Sequence, residues 1–292
     1  MSARVAHRRA VAAGRAALLC LAAAPAVAAG GDPQDAVAAP GDAPAALRVC
    51  ADPDNLPFSN RLGQGFENRI AALVAADLHA ELQYTWHPQR QGFLRQTLQA
   101  RRCDLVIGVP AGLERVRASR PYYRSSYVFI YAQGRALRPR SLDDPALRTA
   151  RIGLHAFGDD GANSPAALAL ADRGISRNII GFSLLDTAQS PPGRIVDAVA
   201  AGEIDVAIAW GPSTAPFARG RPLPLAVVAV PAASARPGLP FAYDIAMAVR
   251  PDDASLAARI DGVLERRGDE IRRLLAQAGV PLVENATPVA RR

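Results

Sequence analysis

The stretch from Cys103 to Tyr131 reads CDLVIGVPAGLERVRASRPYYRSSYVFIY. It contains a short apolar strand-like run at 104–108, a loop, and a second strand-like run at 127–131. A similar pattern returns at 202–212, where GEIDVAIAWGP again places an Asp before an apolar strand and a Gly-Pro loop. A motif that is used twice predicts two similar lobes whose loops face each other across a cleft.

The segments around this stretch alternate between strand-like and helix-like spacing of apolar residues. Strand-like runs at 47–51 and 81–86 flank a helical pattern at 66–78, and another strand follows at 104–109. A βαβαβ order favours parallel strands with helices on both faces of the sheet. We therefore predict an α/β fold of two lobes of mixed, mostly parallel sheets flanked by helices, with a central cleft and a two-strand hinge.

The connections between the lobes are predicted from composition. Pro- and Arg-rich segments at 137–145 and 236–240 are interpreted as crossovers. The predicted organisation is lobe 1 at 46–135 plus 237–283 and lobe 2 at 136–236.

The N-terminus indicates export. Residues 1–28 combine a basic start, a short apolar run and the small residues Ala26 and Ala28, which is the pattern of a secretory signal peptide. The apolar run is too short to span a bilayer. Residues 29–45 and 284–292 have the composition of a disordered leader and tail. We predict a soluble, exported, periplasmic protein without membrane insertion.

The charge of the chain argues against nucleic acid as a partner. The formal charge is +7 and the sequence contains no Lys. Four Arg lie in the predicted signal, where no acid offsets them, so the remainder carries +3. Nucleic-acid binders concentrate basic residues on one face, and no such cluster is visible here.

Two cysteines remain once Cys20 leaves with the signal, and they are Cys50 and Cys103. In an oxidising compartment two thiols favour a disulfide, which would stabilise the fold by roughly 4 kcal/mol. Cys50 would end one strand and Cys103 would begin a parallel neighbour, a geometry that can hold the two sulfurs apart. The disulfide is predicted, and two free thiols remain the alternative.

Several motifs resemble those of type 2 periplasmic solute-binding proteins, namely LRVCAD at 47–52, GFE at 65–67, CDLVIG at 103–108 and RPYY at 120–123. Longer motifs resemble the J proteins of methanol-oxidation clusters, the MoxJ/XoxJ type. They are CADPDNLPFSN at 50–60, PYYRSSY at 121–127, GDDGAN at 158–163, WGP at 210–212 and LPFAYDIAM at 239–247.

This resemblance implies a two-lobed periplasmic protein that functions together with a PQQ-dependent methanol or alcohol dehydrogenase and its cytochrome c. The implied task is maturation or activation of the dehydrogenase, without catalysis and without a cofactor of its own.

The departures from amino-acid receptors predict the kind of ligand. Those receptors grip a carboxylate with an Arg after the third strand, but the spacing from Arg115 to Tyr122 is short. They also bind the carboxylate with N–H groups at a helix N-terminus, and at that position this chain has the acidic turn 158–161. An Asp of these receptors binds the ligand's ammonium group, and this chain has Trp210 in its place. A free α-amino acid is therefore not expected, and aromatic side chains favour a larger apolar or peptidic group.

The residues that we predict to form the cleft and the partner-binding site are Asp52, Asn55, Phe58, Tyr122, Tyr123, Arg124, Asp159, Asp160, Asn163 and Trp210.

Structural alternatives stay open for most of these residues. Asp52 and Asn55 can fix their own turn, and only one of two adjacent tyrosines can face a cleft from a strand. Arg124 can form an intramolecular ion pair. The acidic turn can cap a helix rather than bind a metal, and no metal site is predicted.

Catalysis has little support in the sequence. The histidines are isolated, and no nucleophile elbow, phosphate loop or dinucleotide-binding motif is present. The alternative function is a receptor of an ABC transporter for a small molecule other than a free amino acid.

Overall fold

The computed structural model describes residues 46–156, 164–184, 191, 193–235 and 238–284. The predicted signal peptide and leader, residues 1–45, and the tail from 285 lie outside these residues. The strands are β1 (Ala46–Ala51), β2 (Asp54–Asn55), β3 (Ser59–Asn60), β4 (Glu81–Trp86), β5 (Val106–Pro110), β6 (Arg117–Ala118), β7 (Tyr123–Ala132), β8 (Ile152–Ala156), β9 (Ile179–Ser183), β10 (Val206–Trp210), β11 (Leu225–Ala229) and β12 (Ala242–Val249).

The helices are α1 (Phe66–Asp77), α2 (Phe93–Gln96), α3 (Pro165–Ala171), α4 (Arg194–Ala201), α5 (Gly211–Thr214), α6 (Ala254–Arg266) and α7 (Gly268–Ala278). Short 3₁₀ turns lie at Pro145–Arg148, Ala215–Ala218 and Ala232–Ser234. The predicted α/β fold with mixed sheets is confirmed, because helices cover sheets that are parallel in places and antiparallel in others. The expectation that the strands are mostly parallel is wrong, because β7 and β12 pair antiparallel with all their neighbours.

The strand β7 connects the two lobes. Its first residues pair antiparallel with β12, with Tyr123 opposite Ile245. Its later residues pair antiparallel with β10 on one side, with Tyr127 opposite Trp210, and with β11 on the other. One strand therefore contributes to the sheets of both lobes, and the order across them is β5-β12-β7-β10-β8-β9.

Parallel pairs complete each lobe. β10 pairs with β8, and β8 pairs with β9, both in parallel. In the other lobe β1 pairs in parallel with β4, and a parallel bridge joins Val49 to Leu105 just before β5. The predicted lobe boundaries remain a prediction, since β7 serves both sheets.

Two main hydrophobic cores follow this division. The first packs α1, α6 and α7 on β1, β5 and β12, with Phe66, Ile70 and Ile260 fully or almost fully buried. The second packs α3 and neighbouring turns on β7, β8 and β10. Trp210 and Tyr243 pack against both cores, so aromatic side chains fill the junction between the lobes.

A disulfide joins Cys50 to Cys103, whose Cα atoms lie 5.5 Å apart. The bridge from Val49 to Leu105 brings the end of β1 beside the residues that precede β5. Both cysteines are buried. The two cysteines are therefore close enough to bond although their segments run parallel, because Cys103 lies before β5 and next to the end of β1.

Across the described ranges, no helix combines the length and the apolar composition that crossing a membrane requires.

Candidate functional site

A cleft with a volume of about 700 Å³ lies between the two lobes. This volume is within the range of sites that bind small molecules or parts of peptides. One wall comes from the loop 52–58, the start of α1 and the end of β5, and the other from the ends of β8, β9 and β10 and the start of α4. Its aromatic lining consists of Phe58, Tyr123, Tyr127, Phe182, Trp210 and Tyr243.

Asp52 and Asn55 line the cleft, but their side chains also hold the loop in place. The backbone N–H of Asp54 donates to Asp52 Oδ1 at 2.9 Å, and the backbone N–H of Gln89 donates to Asp52 Oδ2 at 2.6 Å. Asn55 Nδ2 donates to Gln89 Oε1 at 3.1 Å. These two side chains therefore largely fix their own turn, which is the structural alternative that the sequence left open for them.

Phe58 lines the cleft and anchors the loop on α1. Its ring lies 5.2 Å from the ring of Phe66, and its carbonyl accepts a hydrogen bond from the N–H of Glu67 at 2.9 Å. A Cβ on Gly65 would lie 1.9 Å from the carbonyl oxygen of Phe58. Glycine at this position therefore permits the close approach of the loop to the helix.

Tyr122 and Tyr123 lie in contact, with ring centroids 4.9 Å apart in edge-to-face geometry. Tyr123 lines the cleft. Tyr122 is not among the lining residues; it packs against the first core and donates from Oη to the carbonyl of Ile107 at 3.2 Å. Burial raises the pKa of both phenols well above the ordinary value.

Arg124 is a correction to the predicted site. Arg124 Nη1 lies 2.8 Å from Asp244 Oδ2, and the two residues are opposite each other in the pairing of β7 with β12. Arg124 is not among the residues that line the cleft. Strand alternation places it on the other face from the cleft side of Tyr123, where an intramolecular partner is available.

Trp210 lies in the middle of a row of aromatic rings. Its ring centroid is 5.7 Å from that of Tyr127 and 5.6 Å from that of Tyr243, both in edge-to-face geometry. Tyr127 in turn lies 5.6 Å from Phe241. The row supports the cleft lining at the point where β7, β10 and β12 meet.

The predicted residues Asp159, Asp160 and Asn163 lie outside the described residues. The helix that follows them is capped by Ser164, whose Oγ accepts from the N–H of Ala167 at 3.1 Å, with Pro165 at the first helical position. Among the residues that the structure describes, no group of three or more His, Cys, Asp or Glu side chains is arranged to hold a metal ion.

The cleft lining also contains residues that were not predicted, among them the aromatic Tyr127, Phe182 and Tyr243. Another is Glu67, in the first turn of α1. A Cβ on Gly108 would lie 2.1 Å from Glu67 Oε1, so the carboxyl group rests directly on the backbone of β5. Burial raises the pKa of Glu67 to about 8.

His155, near the end of β8, is also a cleft residue that was not predicted. Burial lowers its pKa to about 4. His155 is therefore neutral at pH 7 and Glu67 is mostly protonated, so these two side chains add little charge to the cleft. Only the position of His155 directly after an apolar strand pointed to it in the sequence.

The arrangement suits the binding of an apolar group. Aromatic rings provide large, rigid contact areas, and Glu67 and His155 are held largely uncharged at pH 7.

No protein-family model matches the chain. Protein MoxJ of Methylorubrum extorquens is 35% identical over 250 residues, which cover 81% of this chain and 81% of that protein. The crystal structure of MxaJ from Methlophaga aminisulfidivorans superimposes with a TM-score of 0.71 at 29% identity, over 81% of this chain and 100% of that one. The periplasmic binding protein XoxJ from Methylobacterium extorquens superimposes with a TM-score of 0.67 at 33% identity, over 82% and 100%.

These similarities cover about four-fifths of this chain. The fold is that of periplasmic binding proteins, and the chain belongs to the MoxJ family.

Proposed function

We propose that this protein is a non-catalytic periplasmic accessory protein of a PQQ-dependent methanol or alcohol dehydrogenase. Its cleft binds a segment of the dehydrogenase or of a maturation partner, and binding aids the maturation or activation of the enzyme. The cytochrome c of the same system is a second candidate partner. Membership of the MoxJ family supports this assignment.

The observation that carries the proposal is the character of the cleft. Six aromatic side chains line a volume of about 700 Å³, which favours a bulky apolar or peptidic occupant. Arg115, the candidate for binding a free carboxylate, lines an adjoining pocket that shares β5 residues with the cleft, and it is not among the residues that line the cleft itself. Trp210 stands at the sequence position where the amino-acid receptors that this chain resembles have an Asp for the ligand's ammonium group.

A matched pair of substitutions tests whether the cleft is the contact surface. Leu184 lines the cleft and is 41% exposed, and Leu282 is 39% exposed but is not among the lining residues. Neither exposed side chain supports the core, so Leu184→Asp and Leu282→Asp are both expected to fold. A charge placed in a desolvated apolar contact weakens binding strongly.

The experiment measures association of each full-length variant with the purified dehydrogenase, and the activity of the dehydrogenase in the mixture. We expect Leu184→Asp to weaken association by about ten-fold or more, while Leu282→Asp binds like the wild type. Equal binding of the two variants to the dehydrogenase would show that the cleft is not the contact surface. Absence of any association or activity change with the wild type would refute the accessory role.

A further inference from the structure

The carboxyl group of Glu67 lies in the cleft without a partner. It is largely buried, it rests on Gly108, and the described residues provide it with neither a hydrogen bond from a side chain nor an ion pair. A carboxyl group that opens to a cleft and has no bonding partner among the described residues is a place where a ligand group can complete the bonding.

The neighbouring hydroxyl groups do not satisfy it. The phenols of Tyr84, Tyr122 and Tyr123 are close enough for their charges to interact with Glu67. Tyr84 Oη, however, donates to the carbonyl of Asn68 at 3.4 Å, and Tyr122 Oη donates to the carbonyl of Ile107 at 3.2 Å. These tyrosines stay protonated below pH 10, because burial raises the pKa of each. None of them changes charge near neutral pH.

The other charged groups of the cleft differ from Glu67. Arg90 is an exposed residue of the lining. Both carboxylate oxygens of Asp52 accept backbone N–H groups, and Asp54 is exposed at the rim. Arg194 forms an ion pair with Glu203 and lies over the ring of Phe182. Glu67 is thus the described acidic group of the cleft that combines burial, an open carboxyl and aromatic neighbours.

We propose that the Glu67 carboxyl group is a specificity subsite for a basic side chain, lysine or arginine, of the peptide segment that enters the cleft, with Tyr123 and Trp210 taking the apolar groups beside it. The inference rests on the proposed function, because it requires a peptide segment in the cleft. A charge-assisted hydrogen bond in a desolvated site is stronger than one between neutral groups, so this contact discriminates between basic and neutral segments.

Binding of a cation moves one proton. In the empty cleft Glu67 is mostly protonated at pH 7, since its pKa is about 8. When an ammonium group approaches, the carboxyl group ionises, its proton passes to the solvent and the carboxylate pairs with the ammonium group. With that pKa, complete ionisation at pH 7 releases about nine-tenths of a proton per bound cation.

The experiment uses two blocked tripeptides, N-acetylated and C-amidated. One has lysine between two phenylalanines, and the other has norleucine in place of lysine. Calorimetry at pH 7 in two buffers of different ionisation enthalpy gives the affinity and the number of protons released. The full chain is compared with Glu67→Gln, which keeps the shape and removes the charge, and with Asp54→Asn, which removes an exposed carboxylate from the same cleft.

We expect the wild type and Asp54→Asn to bind the lysine peptide about ten-fold more tightly than the norleucine peptide, with proton release. Glu67→Gln should bind both peptides alike and release no proton. Equal affinities for the wild type, without proton release, would overturn the subsite and leave the proposed function standing. Failure of both peptides to bind would also overturn it, and the Leu184→Asp comparison would then decide the proposed function alone.

Discussion

Glu67 sets how the fold responds to pH, because its acid is harder to ionise in the native state than in the unfolded chain. The pKa is about 8 in the folded protein against an ordinary value of 4.5. Between these values the native state holds more protons, so the free energy of unfolding falls as pH rises from about 4.5 to about 8. Below 4.5 this contribution is fully present.

We therefore expect Glu67→Gln to be more stable than the wild type at pH 8.5 by up to roughly 4 kcal/mol, and close to it at pH 4.5. Urea unfolding at a series of pH values measures the difference. His155 acts in another window, since its lowered pKa of about 4 makes stability fall as pH drops from 6.5. Measurements above pH 6.5 thus isolate Glu67, and parallel pH curves for the two proteins there would contradict the prediction.

The sequence allowed a prediction for some cleft residues and not for others, for physical reasons. Alternation along a strand anticipated that only one of Tyr122 and Tyr123 lines the cleft, although the two rings contact each other. The turn-forming tendency of Asp52 was visible in its neighbours. Glu67 was missed because a carboxylate in the first turn of a helix normally complements the helix dipole. Its unusual setting arises from β5, where Gly108 is distant in sequence and leaves space for the carboxyl group.

At the level of elements, the contact between the 52–58 loop and α1 shapes one wall of the cleft. A Cβ on Gly65 would meet the carbonyl oxygen of Phe58 at 1.9 Å, and that backbone atom cannot move without displacing the loop. We expect Gly65→Ala to lower the free energy of unfolding by about 2–3 kcal/mol. Thermal unfolding measures the loss.

Gly268 provides the matched control for this substitution. It lies at the start of α7, and a Cβ there meets nothing within 4 Å. Gly268→Ala should be neutral or stabilise the protein by about 0.5–1 kcal/mol, because alanine favours the helix. Equal losses for the two variants would show that contact with Phe58 is not what requires glycine at position 65.

The disulfide is the covalent link between β1 and the segment that precedes β5. It closes a loop with a sequence separation of 53 residues, which in the chain-entropy picture stabilises the fold by about 4 kcal/mol. The double variant Cys50→Ala and Cys103→Ala should lose about 2–5 kcal/mol, seen as a lower urea midpoint. The wild type under reducing conditions should approach the variant, and an unchanged midpoint on reduction would contradict this role.

Elements with long periodic patterns were predictable, and short ones were not. The runs at 81–86 and 127–131 became β4 and the later part of β7, because alternation and β-branched or aromatic residues extend over the whole strand. The hairpin of β2 and β3 was missed, since strands of two residues carry no period. Its pairing depends on contacts such as that of Asn68 Oδ1, which accepts from the N–H of Asn60 at 3.0 Å.

At the scale of the whole molecule, β7 makes the two lobes interdependent. β10 pairs with β7 over Val206–Trp210, and β11 pairs with its other edge over Leu225–Ala229. The predicted boundary assigns β7 to lobe 1 and thereby removes the central strand from the sheet of lobe 2. An excised lobe 2 would present two unpaired edges and lose part of the second core, in which Phe129 is fully buried.

Two fragments test this dependence, because they differ only in the presence of β7. We expect residues 136–236 to remain unfolded, since β10 and β11 lack the strand between them. Residues 121–236 restore that strand and the buried Phe129 and Tyr131, and should give a dispersed amide NMR spectrum with a cooperative thermal transition. A dispersed spectrum for 136–236 would show that lobe 2 is complete at the predicted boundary. Opening and closing of the cleft would then be a rotation of independent lobes, whereas with a shared strand the motion must bend or twist β7 itself.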